Sequence, residues 1–64
     1  MMEITIKAAR INAGFSQTEA AKELGIGKST LLNYEYYRTV PDINTALRMA
    51  ELYGTTIDHI RWAE

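Results

Sequence analysis

The chain has 64 residues, enough for one domain whose single core supplies only about 3–5 kcal/mol of net stability. It has no cysteine and one histidine, which argues against a disulfide framework or a zinc site, and we expect His59 to be a solvated side chain. Seven basic and eight acidic residues give a net charge of −1, so the total charge argues weakly against a nucleic-acid partner, and only the placement of the cations could support one.

The segment Met1–Thr5 shows neither the basic flank nor the apolar run of an export signal, and no segment reaches the length of a membrane span. We therefore expect a cytoplasmic protein with no membrane partner. No repeat or linker divides the chain, which predicts one domain over residues 1–64 with its core at about 5–62.

Glycine, proline and capping residues divide the chain into about five short segments with helical spacing, and no stretch alternates as a half-buried strand would. The predicted fold class is all-α. The first helix is expected from about Thr5 to Ala13. Ile6, Arg10 and Ala13 share one face of this helix, and Gly14 ends it.

The second helix begins at a capping box, because the Ser16 hydroxyl can accept from the third helical amide while Glu19 reaches back. Its buried face is predicted to comprise Ala20, Ala21 and Leu24, with Phe15 entering the core just before it. Gly25 then supplies a left-handed turn, and a third helix is expected from about Lys28 to Tyr36.

The third helix has two different sides at 100° per residue. The inward side is predicted to carry Leu31, Tyr34 and Glu35, and the outward side Lys28, Ser29, Leu32, Asn33 and Tyr36. An outward amide can bond adenine, a lysine guanine, and an aliphatic group a thymine methyl. An ordinary solvated helix face explains this side equally well when it is taken alone.

The last third of the chain predicts two more helices. Asp42 caps the fourth, whose inward residues are Ala46, Met49, Ala50 and Tyr53 before Gly54 ends it. Thr56 is expected to cap a short fifth helix carrying Ile57 and Ile60. Trp62 either covers the end of the core or contributes to a homodimer contact.

The spacing of many of these residues resembles the phage-repressor and Cro-like (Xre-like) helix-turn-helix family. The segments that carry the likeness are Ala8-Ala9-Arg10, Phe15 to Ala21, Leu24-Gly25-Ile26, Lys28 to Leu31, Asn33-Tyr34-Glu35, Thr39 to Asp42 and Ala50 to Gly54. The resemblance implies a compact five-helix, lambda-repressor-like DNA-binding domain with the helix-turn-helix in helices 2 and 3. It also implies a transcriptional regulator that binds palindromic operator DNA as a dimer, with the third helix in the major groove.

The resemblance assigns roles to individual residues. Lys28, Ser29, Leu32 and Asn33 match the base-reading positions, and Gln17 and Arg38 match positions that contact the DNA backbone. Ala21 matches the small residue that allows the two helices to approach closely, and Gly25 matches the residue that makes the turn between them. Arg10 and Glu35 match a pair that forms an ion pair in relatives, and because both fall on inward faces we expect a structural role.

Tyr36 and Tyr37 depart from the family pattern, which has a small polar residue followed by glycine at this point. A left-handed turn is costly without glycine, so this departure favours a longer third helix. The tyrosines either pack on DNA sugars and phosphates, which we favour and which adds Tyr36 to the backbone contacts, or form an apolar patch with Leu32 for a protein partner.

Two functional classes follow. The first is a sequence-specific transcription regulator, and the second is a protein-interaction module on the same scaffold, such as an antitoxin or a regulatory partner. No nucleophile lies beside a base and the chain is too short for a deep pocket, so we expect neither an enzyme nor a cofactor.

Overall fold

The computed structural model describes residues 3–64, and the first two residues of the predicted domain, Met1 and Met2, lie outside the described part. The described residues form four α-helices, one 3-10 turn and two strands of two residues. Their order is β1 (Ile4–Thr5), α1 (Ile6–Asn12), α2 (Gln17–Leu24), α3 (Lys28–Glu35), α4 (Ile43–Leu52), the 3-10 turn (Ile57–His59) and β2 (Ile60–Arg61). The all-α helix-turn-helix class is confirmed.

Three helices begin at side-chain caps, which satisfy amides that the helix itself leaves unpaired. The Thr5 hydroxyl accepts from the Ala8 amide at 3.0 Å at the start of α1. At α2 the predicted capping box is complete, with Ser16 Oγ accepting from the Glu19 amide at 3.1 Å and Glu19 Oε1 accepting from the Ser16 amide at 2.9 Å. Asp42 Oδ1 accepts from the Thr45 amide at 2.8 Å and so caps α4 as predicted.

All four helices contribute to one core, whose largest fully buried side chains are Ile6, Leu31, Met49 and Ile60. The predicted inward faces of α2 and α4 are confirmed, because Ala20, Ala21, Leu24, Ala46, Met49, Ala50 and Tyr53 are all buried. Phe15 and Trp62 are partly buried against this core. The indole Nε1 of Trp62 also donates to the Ile57 carbonyl at 2.7 Å, so Trp62 covers the end of the core within one copy.

The prediction that the chain has no strand was wrong at its two ends. β1 pairs in parallel with β2, with Ile4 opposite Ile60 and Thr5 opposite Arg61. Two residues are too few to show an alternating pattern, and the pairing joins segments more than fifty residues apart. The burial of Ile6 and Ile60 brings these segments together, and neither segment signals the pairing locally.

The predicted fifth helix is a 3-10 turn of three residues. Thr56 occupies the position before it but makes no capping hydrogen bond, so the prediction that Thr56 caps a helix was wrong. The turn leads directly into β2, whose pairing with β1 requires extended backbone from Ile60 onward. None of the described helices has the length and apolar character needed to cross a bilayer.

Candidate nucleic-acid interface

A tight turn joins α2 to α3 and fixes how the two helices meet. Gly25 has a φ of 69°, in the left-handed region where a residue with a Cβ is strained. The Gly25 amide donates to the Lys22 carbonyl at 3.1 Å, and the Ile26 amide to the Ala21 carbonyl at 3.0 Å. The small, buried Ala21 side chain lets α3 pack closely on α2.

The inward side of α3 is held by one apolar and one ionic contact. Leu31 is fully buried in the core. Glu35 forms an ion pair with Arg10 of α1, with 2.7 Å between Nε and Oε2 and 3.4 Å between Nη2 and Oε1. The two side chains are only 7% and 2% exposed. The ion pair implied by the resemblance is therefore present, and it fixes α3 relative to α1.

Tyr53 lies in the core near this ion pair. Burial raises the pKa of its phenol to about 12; the negative charge of Glu35 adds to the increase, and the positive charge of Arg10 opposes it. The phenol therefore stays neutral in the folded protein at all physiological pH values.

The outward side of α3 carries the side chains predicted to read bases. Lys28 and Ser29 are exposed at the start of the helix, and Leu32 and Asn33 are half-buried one turn later. Within residues 3–64 no hydrogen bond or ion pair engages the side chains of Lys28, Ser29 or Asn33. Gly27 precedes the helix without a side-chain cap, so the first amides of α3 also remain available to a ligand or to water.

The predicted backbone-contacting residues lie at the start of α2 and just after α3. Gln17 is the first residue of α2 and is half-buried. Tyr36 is 58% exposed, and the exposed guanidinium of Arg38 lies over its ring at 5.4 Å from the ring centre. This cation–π contact brings the guanidinium and the phenol together just after the C-terminal end of α3.

The charge around α3 differs in sign from the charge of the whole chain. From residue 25 to residue 41 the exposed charged side chains are Lys28 and Arg38, and the one carboxylate in this stretch, Glu35, is buried against Arg10. The other seven acidic residues lie outside this stretch, and Asp42, which directly follows it, caps α4. The positions of these two cations therefore allow an anionic partner to bind at α3, although the net charge of the whole chain is negative.

The prediction that α3 runs past Tyr36 was wrong. The helix ends at Glu35, and Tyr37 takes the left-handed conformation, with a φ of 60°. The Tyr37 amide donates to the Tyr34 carbonyl at 3.1 Å and the Arg38 amide to the Asn33 carbonyl at 2.9 Å, the two bonds of a Schellman motif. A tyrosine thus occupies the position where glycine is usual.

The Tyr37 side chain has a hydrogen-bond partner inside the domain that the sequence does not indicate. Its hydroxyl donates to the Arg61 carbonyl in β2 at 2.9 Å, and its ring packs against the core. The partner lies 24 residues away along the chain, and no local pattern indicates it. Of the two neighbouring tyrosines, only Tyr36 projects largely into solvent.

The fold and this interface are those of a helix-turn-helix protein. Residues 6–60 match the helix-turn-helix family, and the chain belongs to it. It is 42% identical over 55 residues to the HTH-type transcriptional regulator ImmR of Bacillus subtilis (strain 168), a match that covers 86% of this chain and 43% of that protein. It is 33% identical over 57 residues to the cryptic phage CTXphi transcriptional repressor RstR of Vibrio cholerae, covering 89% of this chain and 51% of RstR. The chain spans about half the length of these curated relatives.

Proposed function

We propose that this chain is a sequence-specific duplex-DNA-binding domain of a phage- or prophage-type transcriptional repressor. It reads a palindromic operator in the major groove through α3 and does so as a dimer. The observation that carries this proposal is the two-sided arrangement of α3. Leu31 and the Arg10–Glu35 pair hold its inner side, while its outer side presents unengaged polar groups on a stretch whose exposed charges are both positive.

The outward residues divide between base reading and backbone contact. Lys28 and Ser29 reach base edges directly, whereas the half-buried Leu32 and Asn33 contribute a methyl contact and a bidentate amide at closer approach. The DNA backbone is contacted by Gln17 with the amides at the start of α2, and by Tyr36 and Arg38 after α3. A DNA-binding role of this kind needs no cofactor and no enzymatic activity, and it places the protein in the cytoplasm.

The names of the two relatives support the proposal, since both are described as transcriptional regulators and one as a phage repressor. The alternative, a protein-interaction module, depended on the acidic balance of the chain and on an apolar patch of Leu32, Tyr36 and Tyr37. The engagement of Tyr37 by Arg61 removes one of these three residues from the free surface and weakens that alternative.

Selection of bound sites from random duplex DNA tests the proposal directly. We expect a palindrome whose half-site centres lie about 34–36 Å apart, one helical turn of DNA. Affinity for the selected site should fall as salt rises, because each neutralised phosphate releases counterions. A failure to enrich any sequence, or an affinity indifferent to salt, would contradict the proposal.

Asn33→Ala tests the base-reading assignment on the selected operator. The change removes one amide from the outer side of α3 and should weaken operator binding by about 1–3 kcal/mol, with little effect on nonspecific DNA. The matched control is Asn12→Ala, which removes an exposed amide at the end of α1. Equal effects of the two changes, or loss of a protein interaction with operator binding intact, would favour the alternative function.

A further inference from the structure

The turn that follows α3 directs its side chains alternately into solvent and into the domain. Tyr36 and Arg38 are exposed, and the guanidinium of Arg38 lies 5.4 Å from the centre of the Tyr36 ring. Between them, Tyr37 packs against the core and donates its hydroxyl to the Arg61 carbonyl. We infer that Tyr37 is a positioning residue for DNA binding, because its bond to β2 holds Tyr36 and Arg38 where they meet the phosphate backbone. This inference rests on the proposed function, which assigns these two neighbours to the backbone.

The backbone conformation of Tyr37 sets the direction of the chain after α3. With its φ at 60°, the chain leaves the helix while the last carbonyls of the helix stay paired. The amides of Arg38 and Thr39 both donate to the Asn33 carbonyl, at 2.9 Å and 3.4 Å. The start of the loop is thereby bonded to the same residue that is predicted to read a base. The place of Arg38 relative to Asn33 therefore depends on the conformation that Tyr37 keeps.

The Tyr37 side chain maintains this conformation, because a tyrosine does not prefer it. Glycine is the usual residue at such a helix end, since a residue with a Cβ is strained in the left-handed region. A tyrosine free of other contacts would favour the right-handed or extended regions, and Arg38 would then point in another direction. The hydrogen bond to Arg61 and the packing of the ring on the core select the left-handed turn instead.

The residue that accepts this hydrogen bond is itself held in place by contacts outside the helix-turn-helix unit. Arg61 directly follows Ile60, which is 1% exposed in the core. Arg61 is also paired with Thr5 of β1, the strand that leads directly into α1. The Arg61 carbonyl therefore has a position that does not depend on α3, and it can restrain the turn after that helix.

A restrained Arg38 has an advantage over a mobile one in binding phosphate. A long side chain loses rotamer freedom when it binds, and part of that loss is already made when the Tyr36 ring and the turn confine it. Between residues 25 and 41 the exposed cations are Lys28 and Arg38. Loss of one phosphate contact among so few cations changes both the affinity for DNA and its dependence on salt.

The test measures the affinity of the 64-residue chain for the selected operator over a range of salt concentrations. Tyr37→Phe removes the hydroxyl that binds Arg61, and Arg38→Gln removes the cation itself. The matched control is Thr5→Val, which removes one hydrogen bond between a side chain and the backbone but leaves the backbone pairing of Thr5 with Arg61 intact. Urea unfolding of each variant gives the folded fraction, so that every affinity refers to folded protein.

We expect Arg38→Gln to reduce the slope of log affinity against log salt by about 1, the value of one phosphate contact. Tyr37→Phe should reduce this slope by about half that amount or more. Adding Tyr37→Phe to Arg38→Gln should reduce it no further, because both changes act on the same contact. Thr5→Val should lower the free energy of unfolding and leave the slope unchanged.

A Tyr37→Phe variant that is less stable but keeps the slope of the original chain would overturn the inference, since the role of Tyr37 would then be structural only. Equal reductions in Tyr37→Phe and Thr5→Val, or additive effects of Tyr37→Phe and Arg38→Gln, would also overturn it. An unchanged slope in Arg38→Gln would remove the contact that Tyr37 is inferred to position. Failure of the unmodified chain to select any operator would instead contradict the proposed function.

Discussion

The guanidinium of Arg10 bonds to two different parts of the chain at once. Nε and Nη2 donate to the Glu35 carboxylate, and Nη1 donates to the Phe15 carbonyl at 2.9 Å. The fork geometry of arginine allows this division, which a lysine with a single ammonium would not reproduce. Through these bonds Arg10 joins α1 to the end of α3 and to the loop before α2.

We expect Arg10→Met to destabilise the fold more than the double change Arg10→Met with Glu35→Leu. The single change strands a buried carboxylate, which costs about 3–5 kcal/mol, whereas the double change removes both charges together. Because the whole domain has little stability to lose, both variants are compared by urea unfolding in a fixed concentration of a stabilising osmolyte. A double variant less stable than the single one would contradict this interpretation.

Tyr37 shows how a residue can occupy a strained backbone position because its side chain is held elsewhere. A left-handed conformation costs a residue with a Cβ about 1–2 kcal/mol. The hydrogen bond to Arg61 and the packing of the ring on the core offset this cost. The end of α3 is thereby tied to the C-terminal strand.

Tyr37→Phe tests this link, because it removes the hydroxyl and keeps the ring. We expect the free energy of unfolding to fall by about 0.5–1.5 kcal/mol, the usual net value of one hydrogen bond. Tyr36→Phe is the matched control, since the neighbouring tyrosine is largely exposed, and it should leave stability unchanged. Equal stability losses in the two variants would show that the bond to Arg61 contributes nothing.

At the scale of elements, α2 is the most sharply bounded helix in the molecule. Its capping box fixes the first turn, and Gly25 fixes the last. The hydrogen bonds from the amide and hydroxyl of Ser16 lower the pKa of Glu19, so the box is complete at neutral pH and weakens as pH falls through that lowered value. The position of α3 depends on these boundaries, because the turn at Gly25 starts from the end of α2.

We expect Ser16→Ala to lower the free energy of unfolding by about 0.5–2 kcal/mol, since alanine leaves the Glu19 amide without a partner. Operator affinity per folded molecule should fall less than with Asn33→Ala, because Ser16 caps α2 next to the backbone-contacting Gln17 but lies on a different helix from the base-reading residues of α3. Urea unfolding measures the first effect and titration of folded protein with DNA the second. A variant as stable as the original chain would mean that solvent replaces the cap at no cost.

At the scale of the whole molecule, stability should fall at alkaline pH because of Tyr53. The folded phenol has a pKa of about 12, whereas the unfolded phenol ionises at its ordinary value of about 10. The contribution of the neutral Tyr53 phenol to the free energy of unfolding is therefore complete below pH 10 and is lost as pH rises towards 12. Tyr53→Phe should flatten this decline and Tyr36→Phe should not, as judged by unfolding curves at pH 8 and pH 11. A decline equally steep in Tyr53→Phe would contradict the assignment.

The local sequence predicted most of the helical fold, because the signals are short-range. Capping residues such as Ser16 and Asp42, and Gly25 at its turn, act within about four residues of their own positions. The resemblance to a known family then supplied the pairing of Arg10 with Glu35. The base-reading and backbone-contacting roles remain predictions, which the operator-binding experiments test.

Local signals in the sequence were enough to predict where the four helices begin and which residues α2 and α4 bury. The tertiary structure alone decided the features that join distant segments. These are the pairing of β1 with β2 and the left-handed Tyr37 held by Arg61. Each depends on contacts between residues far apart in the chain. The energies of these contacts exceed the local conformational preferences of the residues, and the contacts leave no pattern within a single helix or turn.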